Sequence, residues 1–500
     1  MQDARDLHGF EPGIAITSHL CPRENTLQTA SSTPPSDLES KPRLEKVLGR
    51  RDLILLFVVA VANLNIVPAI AAAGAVTLWL WLFALGFYFW PQGVAVISLA
   101  EVWPGEGGIY LWTKNSFGDM HGFIAGWCYW LANVVYLPTV LLSCVGVGLY
   151  IFSPRIQLLA QDQRFTAGAA GVLLLVLLAV NVRGRSTGRW ITNIGGVGTV
   201  GGALMVCALA ASVLHQHGSA VALHDLRPPM KDWRLFAVFG TICYSLQGLD
   251  LASIMGDEIQ EPRKVLPGAI LWGGILAAII YLGVTFSMLI AMPHEQIGVL
   301  SGVLQAISMM AQRVGLGAVI APLALFEFVA ILGTASAWFN GSARLPFVAG
   351  IDHYLPASLG RLHPRYHTPY LALTLFAVLS GLLILFSYLG ASVSEAYLTL
   401  LAITVIIQMI PSLYMFAALL KQSRALAPGT RRRRYTISNA LAGLLSSTFA
   451  MGVAFIPALS TGHIWIYEIK LVGATSVVLG SAFFLYFRAS RSVLETHTID

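Results

Sequence analysis

Charged residues are scarce in this chain of 500 residues. Asp, Glu, Lys and Arg make up 11% of it and apolar residues 56%, whereas an ordinary soluble domain is about 25% charged. This scarcity excludes a normal water-facing surface, so the lipid bilayer must act as the solvent. About twelve apolar runs of roughly 20 residues, the length that a hydrocarbon core requires, predict an all-α polytopic membrane protein.

Signals for metals and cofactors are also missing. The five cysteines show no CxxC spacing, and the twelve histidines fall in tails, loops or predicted helix ends, so no metal site is expected. The segment GVGTVG at 196–201 fits GxGxxG, but it lies in an apolar run with no preceding strand, and close helix packing at Gly198 and Gly202 explains it better. We therefore predict no cofactor and no enzymatic activity.

Polar segments divide the chain into three predicted parts. Residues 1–45 are rich in Ser, Thr, Pro and charge and are expected to form a disordered N-terminal tail. Residues 46–490 form the transmembrane domain, and residues 491–500 a short C-terminal tail. The predicted helices, numbered 1 to 12, lie at 52–73, 77–100, 121–152, 165–181, 190–214, 234–259, 266–292, 315–344, 368–389, 394–420, 437–458 and 464–487.

The positive charges predict the orientation. With twelve helices, one set of loops, together with the C-terminal tail and the segment from Lys41 to Arg51, carries 22 Lys and Arg residues, whereas the other set of loops carries six. Basic loops stay inside, so both termini are expected in the cytoplasm and the protein in the cytoplasmic membrane. The net charge of +6 then reflects topology, and no nucleic-acid partner is predicted.

Two predicted helices carry polar residues and breakers near their middle. Helix 1 contains Asn63, Asn65 and Pro68. Helix 6 contains the sequence SLQGLD, in which Ser245, Gln247, Gly248 and Asp250 fall. If these polar groups faced lipid without hydrogen-bond partners, each would cost several kcal/mol of free energy. A kink with polar packing would explain either helix alone. Breaks five helices apart indicate an inverted repeat of five helices, whose exposed backbone holds substrate at the bilayer centre.

Three motifs resemble a known family. GLD at 248–250, DE at 257–258, EPR at 261–263 and PGAI at 267–270 are similar to G-F-E, E-E, N-P-x-R and P-x-A-I of the amino acid, polyamine and organocation transporter superfamily. The segment from Ala100 to Gly118 resembles its A-E, P-x-x-G-G-x-Y and F-G. The segment from Gly341 to Pro356, with Thr368-Pro369, resembles its G-S-x-R, D-G-x-L-P and T-P.

The resemblance, which spans about residues 46–490, implies a fold and residue roles. It implies a five-plus-five inverted repeat with broken helices 1 and 6 that works by alternating access. In register with the family's arginine/agmatine antiporters, Tyr244 matches an aromatic gate, Gly248 a hinge and Asp250 a proton-linked carboxylate. Trp338 and Tyr129 match aromatic positions near the substrate.

The sequence also departs from the family. Val61, Ala62 and Asn63 stand where the family has a G-S-G break, so the Asn63 and Asn65 side chains are expected to substitute as donors. Leu137 replaces the amide of the arginine/agmatine antiporters, and Thr199 stands near a lysine that several members carry at a sodium position.

The sequence favours a secondary transporter of amino acids, linked to protons or working by exchange. Its predicted substrate site comprises Asn63, Asn65, Tyr129, Tyr244, Ser245, Gln247, Gly248 and Trp338. Asp250 is the predicted proton-linked group, and Glu327, in the apolar stretch of helix 8, is the second candidate. A carrier of polyamines or other organic amines, and a membrane sensor that does not transport, stay open as alternatives.

Overall fold

The computed structural model describes residues 50–104, 107–152, 156–183, 185–221, 236–254, 261–351, 354–387, 392–456 and 464–497. The predicted tail at 1–45, the DE pair at 257–258 and residues 498–500 lie outside these ranges, as do parts of predicted helices 6, 9 and 11.

Helices that correspond to the twelve predicted spans follow in the predicted order, two of them in two pieces, and strands are absent from the described ranges. Ten are long and apolar enough to cross a membrane, α9 is a shorter apolar helix, and α6 is divided into two pieces. The prediction of an all-α polytopic membrane protein is confirmed. The segments are α1a Arg50–Val61, α1b Val67–Ala71, α2 Thr77–Val102, α3 Asp119–Gly148, α4 Gln163–Arg183, α5 Arg185–His217, α6a Ala237–Ser245, α6b Leu251–Ile254, α7 Pro262–Ala291, α8 Ile320–Ser342, α9 Tyr370–Ser387, α10 Val393–Gln422, α11 Arg431–Val453 and α12 Ile464–His497.

Helix packing follows the expected repeat of five. α3 packs along α10, and α8 packs along α5. Shifting each helix number by five converts the first pair into the second, because α3 corresponds to α8 and α10 corresponds to α5. In the same way α1a packs on α7, and α6a packs on α2. The two broken helices therefore occupy equivalent positions in the two halves of the chain.

Two further helices were not predicted. Ile109–Phe117 lies between α2 and α3 and packs on α3 and α10, while Gly302–Arg313 lies between α7 and α8 and packs on α8 and α5. These two short helices also occupy corresponding positions in the two repeats, since α2 and α3 correspond to α7 and α8. The segment Arg344–Ile351 forms another short helix directly after α8.

Prolines within helices have no N–H to donate to the carbonyl group four residues earlier. In two cases a serine side chain of another helix donates to that carbonyl. Pro138 in α3 cannot donate to Val134, and the Ser380 hydroxyl of α9 donates to the Val134 carbonyl at 3.0 Å. Pro91 likewise cannot donate to Phe87, whose carbonyl accepts from Ser446 of α11 at 2.8 Å. The turn just before Pro91, Leu85–Phe89, is a π-helix inside α2.

Side-chain contacts identify the two ends of the bundle. At the end where α1 begins, called here the first end, Gln422 donates to the Ser98 carbonyl at 3.3 Å and Arg432 lies 3.9 Å from Glu101. At the opposite end Lys470 lies 3.7 Å from Glu395, joining the beginnings of α12 and α10.

Candidate functional site

The break in α1 leaves a row of carbonyl groups that side chains of other helices bind. Ala62 and Asn63 are not helical, and a short 3-10 turn, Leu64–Ile66, precedes α1b. The Val59 carbonyl accepts from Thr334 at 3.1 Å, and the Ala60 carbonyl accepts from the Trp338 indole at 3.1 Å. The break exists although the helix lacks the glycines of the family pattern.

The break in α6 faces it directly. The helix ends at Ser245 and resumes at Leu251, and Gly248 between them has a φ of +129°. A Cβ atom at Gly248 would lie 2.9 Å from the carbonyl carbon and oxygen of Ala60. Glycine is therefore required at this position both by its backbone conformation and by the approach of α1.

One hydroxyl group joins the two breaks. Tyr281 of α7 donates to the Val61 carbonyl and lies 2.7 Å from the Ser245 carbonyl, while it accepts from the Asn63 N–H at 2.9 Å. Its ring stacks on Trp81 of α2 at 4.3 Å between centroids. Because Tyr281 lies within a long apolar helix with no breaker beside it, the sequence reading missed it.

The two predicted asparagines bond mainly within the protein. The Asn63 amide nitrogen donates to the Ala60 carbonyl at 3.1 Å, while its Oδ1 is buried without a hydrogen-bond partner. Asn65 bonds to the Tyr136 hydroxyl at 3.2 Å, and its carbonyl accepts from Tyr397 at 2.7 Å. Asn63 therefore keeps a buried acceptor, rather than a free donor, beside the break.

Tyrosines surround the break on the side of the opposite end. The Tyr244 ring contacts the Tyr136 ring edge-on, with 5.2 Å between centroids. The hydroxyl groups of Tyr136, Tyr281 and Tyr397 lie close enough to that of Tyr244 to interact electrostatically. Tyr244 therefore lies among Tyr136, Tyr281 and Tyr397, none of which the sequence predicted as a site residue.

Asp250 lies on the side of the first end. It is 1% exposed, its Oδ1 accepts from the Gly248 N–H at 3.3 Å, and its carboxyl group faces the Tyr129 hydroxyl. The Tyr129 ring lies 6.4 Å from Trp338. The structure therefore brings Asp250, Tyr129 and Trp338 together beside Gly248.

A buried polar network extends from Gln247 toward α2 and α10. The Gln247 amide nitrogen donates to Tyr88 and to Ser412 at 2.7 Å, and its oxygen accepts from Gln92 at 3.1 Å. Gln408, one helical turn before Ser412, is 1% exposed, and neither of its amide atoms has a hydrogen-bond partner. The sequence reading found only Gln247 of this network, because single polar residues in apolar runs give no distinct pattern.

Glu327 does not join the site. It is 2% exposed in α8 and lies beside Gly202 of α5 and Cys144 of α3. Seven residues separate it from Thr334, which is about 10 Å along a helix. At Gly198, one turn away on α5, an added Cβ would lie 3.0 Å from the Phe326 carbonyl, so helix packing accounts for this part of the GxGxxG sequence.

Groups of His, Cys, Asp and Glu suited to a metal ion are not found among the described residues. The paired breaks, with polar side chains and backbone buried between helices, are the architecture of a membrane transporter rather than of an enzyme active site. Comparison with known proteins agrees with this class.

The chain belongs to the amino acid permease family, whose model matches residues 48–475. It is 26% identical to an uncharacterized transporter of Legionella pneumophila over 86% of this chain and 94% of that protein. It is 25% identical to the branched-chain amino acid permease BcaP of Bacillus subtilis over 68% of this chain and 74% of that protein. It is 24% identical to the probable agmatine/putrescine antiporter AguD of Lactococcus lactis over 53% of this chain and 56% of that protein.

These relatives are permeases and transporters, so the resemblance noted in the sequence is confirmed at the level of the family. The chain is a multi-pass membrane transporter and not an enzyme.

Proposed function

We propose that this permease moves an amino acid across the cytoplasmic membrane by alternating access, with the substrate held between the α1 and α6 breaks. The observation that carries the proposal is the Tyr281 hydroxyl, which bonds to the Asn63 N–H and the Val61 and Ser245 carbonyls. A single group that binds both breaks makes α1 and α6 respond together to whatever binds beside them.

Burial supports alternating access. Asn63, Tyr244, Gln247, Asp250 and Trp338 are each at most 4% exposed. A substrate can reach such a site only if helices move aside, and the breaks are where the helical hydrogen bonds that resist bending are already absent. We propose Tyr244 as the gate toward the opposite end, since it stands there against Tyr136.

Unpaired polar atoms supply contacts for the substrate. Asn63 Oδ1 and both amide atoms of Gln408 are buried without a hydrogen-bond partner, and such atoms are costly unless something bonds to them. We propose that Asn63 Oδ1 accepts from the substrate amino group and that Gln408, which the sequence reading omitted, contacts its polar atoms. Asn65, Ser245, Gly248, Tyr129 and Trp338 shape the site around them.

Organic amines are the alternative cargo. Asp250 is the buried carboxylate beside the breaks, and the site residues named above include no lysine, arginine or histidine. That balance would suit a cationic substrate, and one relative is a probable agmatine/putrescine antiporter. The branched-chain permease among the relatives favours an apolar amino acid instead.

We propose Asp250 as the proton-linked group, and its contacts support the proposal. Protonation would weaken its bond to the Gly248 N–H and so alter the α6 break itself, which gives the proton a direct effect on the moving element. Glu327 is the second candidate, since a carboxyl group buried in an apolar helix is expected to exchange a proton or face a polar path. Protonation of Glu327 would act on the breaks only indirectly, because Glu327 does not contact them.

The orientation that we propose has both termini in the cytoplasm. The first end of the bundle carries the α10–α11 loop and the arginine run that begins α11, and basic loops remain inside. The first end is then the cytoplasmic one. The tail segments 1–45 and 491–500 are both proposed to lie on that side.

Uptake into sealed vesicles tests the proposal. Purified protein in proteoliposomes would be given labelled leucine, serine, arginine and putrescine, with and without an imposed pH gradient. We expect accumulation of an amino acid that the gradient increases. Accumulation of putrescine alone would select the amine alternative, and binding without any entry would indicate a sensor.

A further inference from the structure

A second feature lies outside the transport site, on the lipid-facing side of α2 and α7. A groove of about 370 Å³ runs between these helices, and its wall includes Phe89, Trp90, Leu249, Leu271 and Tyr435. Its size falls within the range of about 300–1,000 Å³ usual for small-molecule sites. Trp90 is 55% exposed and Leu271 48% exposed, so the groove opens toward the membrane.

Glycines keep the floor of the groove open. An added Cβ at Gly274 of α7 would lie 3.1 Å from the Phe89 ring, and one at Gly93 of α2 would lie 3.6 Å from Ile270. Larger side chains at these positions would fill the space between α2 and α7. Leu249, which follows Gly248, lines the groove, so an occupant contacts the α6 break directly.

Polar and basic residues stand at one end of the groove. The Trp90 indole donates to the Tyr435 hydroxyl at 2.9 Å, which links the middle of α2 to the first turns of α11. Tyr435 belongs to the first turns of α11, directly after the run Arg431 to Arg434. Glu101 lies 3.9 Å from Arg432 and offsets one of the four positive charges of the run.

We infer that this groove binds one anionic phospholipid, with an acyl chain between α2 and α7 and the phosphate against the arginine run. Arginine clusters next to a membrane surface attract anionic headgroups, and Tyr435, the residue that follows the arginine run, lines the apolar groove. A larger groove of about 910 Å³ between α2, α6a and α11 lies farther from the arginine run, since the first α11 residue that lines it is Ala442, eight residues after Arg434. It therefore offers nothing that would select an anionic lipid.

Two pairs of variants test the inference on the full chain purified in detergent. Ala278→Trp fills the groove, whereas Ile279→Trp places the same ring on the neighbouring position, which is 62% exposed and does not line the groove. A triple change of Arg431, Arg432 and Arg434 to Gln removes the headgroup contacts. Arg488→Gln with Arg491→Gln removes exposed arginines at the end of α12, at the same end of the bundle.

The measurement is the unfolding temperature with added phosphatidylglycerol, phosphatidylcholine of the same acyl chains, or glycerol phosphate. Phosphatidylglycerol should raise the Tm of the parent by at least about 2 °C more than phosphatidylcholine does. Ala278→Trp and the triple arginine variant should lose this difference, and both controls should keep it. Val94→Phe, which also fills the groove, replaces Ala278→Trp if that variant does not fold.

Three results would overturn the inference. Equal shifts with both phospholipids would show that the headgroup is not selected, and an equal shift with glycerol phosphate would show that the groove is not used. Retention of the full difference in both groove-filling variants would place the lipid elsewhere. None of these results depends on transport, so the inference can fail while the proposed function stands.

Discussion

At the scale of single residues, the hydroxyl of Tyr281 is the most connected group of the site. Tyr281→Phe keeps the ring on Trp81 but removes the hydroxyl from the Ser245 carbonyl. The Val61 carbonyl still accepts from the Asn63 backbone and side chain. A buried group left unpaired costs about 1–3 kcal/mol. We therefore expect a lower Tm and slower uptake, measured against Tyr467→Phe on the peripheral helix α12 as control. Uptake and Tm equal to those of the parent would mean that the hydroxyl does not hold the breaks together.

Tyr244 is the residue proposed to close over the substrate. Tyr244→Phe keeps the edge-on contact with Tyr136, whereas Tyr244→Ala removes it and leaves a cavity. We expect Tyr244→Phe to retain most of the uptake and Tyr244→Ala to lose it, with initial uptake measured at matched protein amounts. A normal rate in Tyr244→Ala would remove Tyr244 from the gate.

At the scale of helices, Gly248 determines how closely α1 and α6 approach each other. In Gly248→Ala the new Cβ would meet the Ala60 carbonyl at 2.9 Å, and a φ of +129° costs a residue other than glycine about 1–3 kcal/mol. We expect this variant to lose transport even where it folds. Gly452→Ala in α11 is the control, because no atom lies within 4 Å of its added Cβ. Normal transport by Gly248→Ala would show that the breaks tolerate separation.

The sequence predicted the broken helices because their polar residues cluster. Asn63, Asn65 and Pro68, like Ser245, Gln247 and Asp250, stand out from an apolar background. Tyr281, Gln92 and Gln408 could not be recognised, since each is one polar group in a regular helix and its importance depends on a distant partner. The π-helical turn Leu85–Phe89 carries one polar group, the Tyr88 hydroxyl, and nothing in its sequence distinguishes it from the rest of α2.

The short helices were missed for a related reason. Gly302–Arg313 carries an apolar face that is buried on α8 and α5, but it is too short and too polar to read as a membrane span. Its counterpart Ile109–Phe117 was read as part of a loop motif. In both cases the helix depends on the neighbours that it packs against, which the local sequence does not reveal.

At the scale of the whole molecule, the proposed orientation predicts which loops can be labelled from outside the cell. In a variant without native cysteines, Gln161→Cys lies before α4 at the opposite end, and Ala427→Cys lies between α10 and α11 at the first end; both positions are exposed. A maleimide that cannot cross membranes should label Cys at 161 in intact cells, and Cys at 427 only after lysis. The reverse pattern would place both termini outside.

Asp250 is proposed to couple a proton to movement of the α6 break. Asp250→Asn imitates the protonated form and cannot release a proton, so the proton gradient can no longer drive the cycle. In proteoliposomes with an imposed pH gradient, the variant should lose accumulation of labelled substrate but retain part of the downhill exchange. Accumulation at the parental level, with the parental pH dependence, would contradict the claim and leave Glu327 as the next candidate.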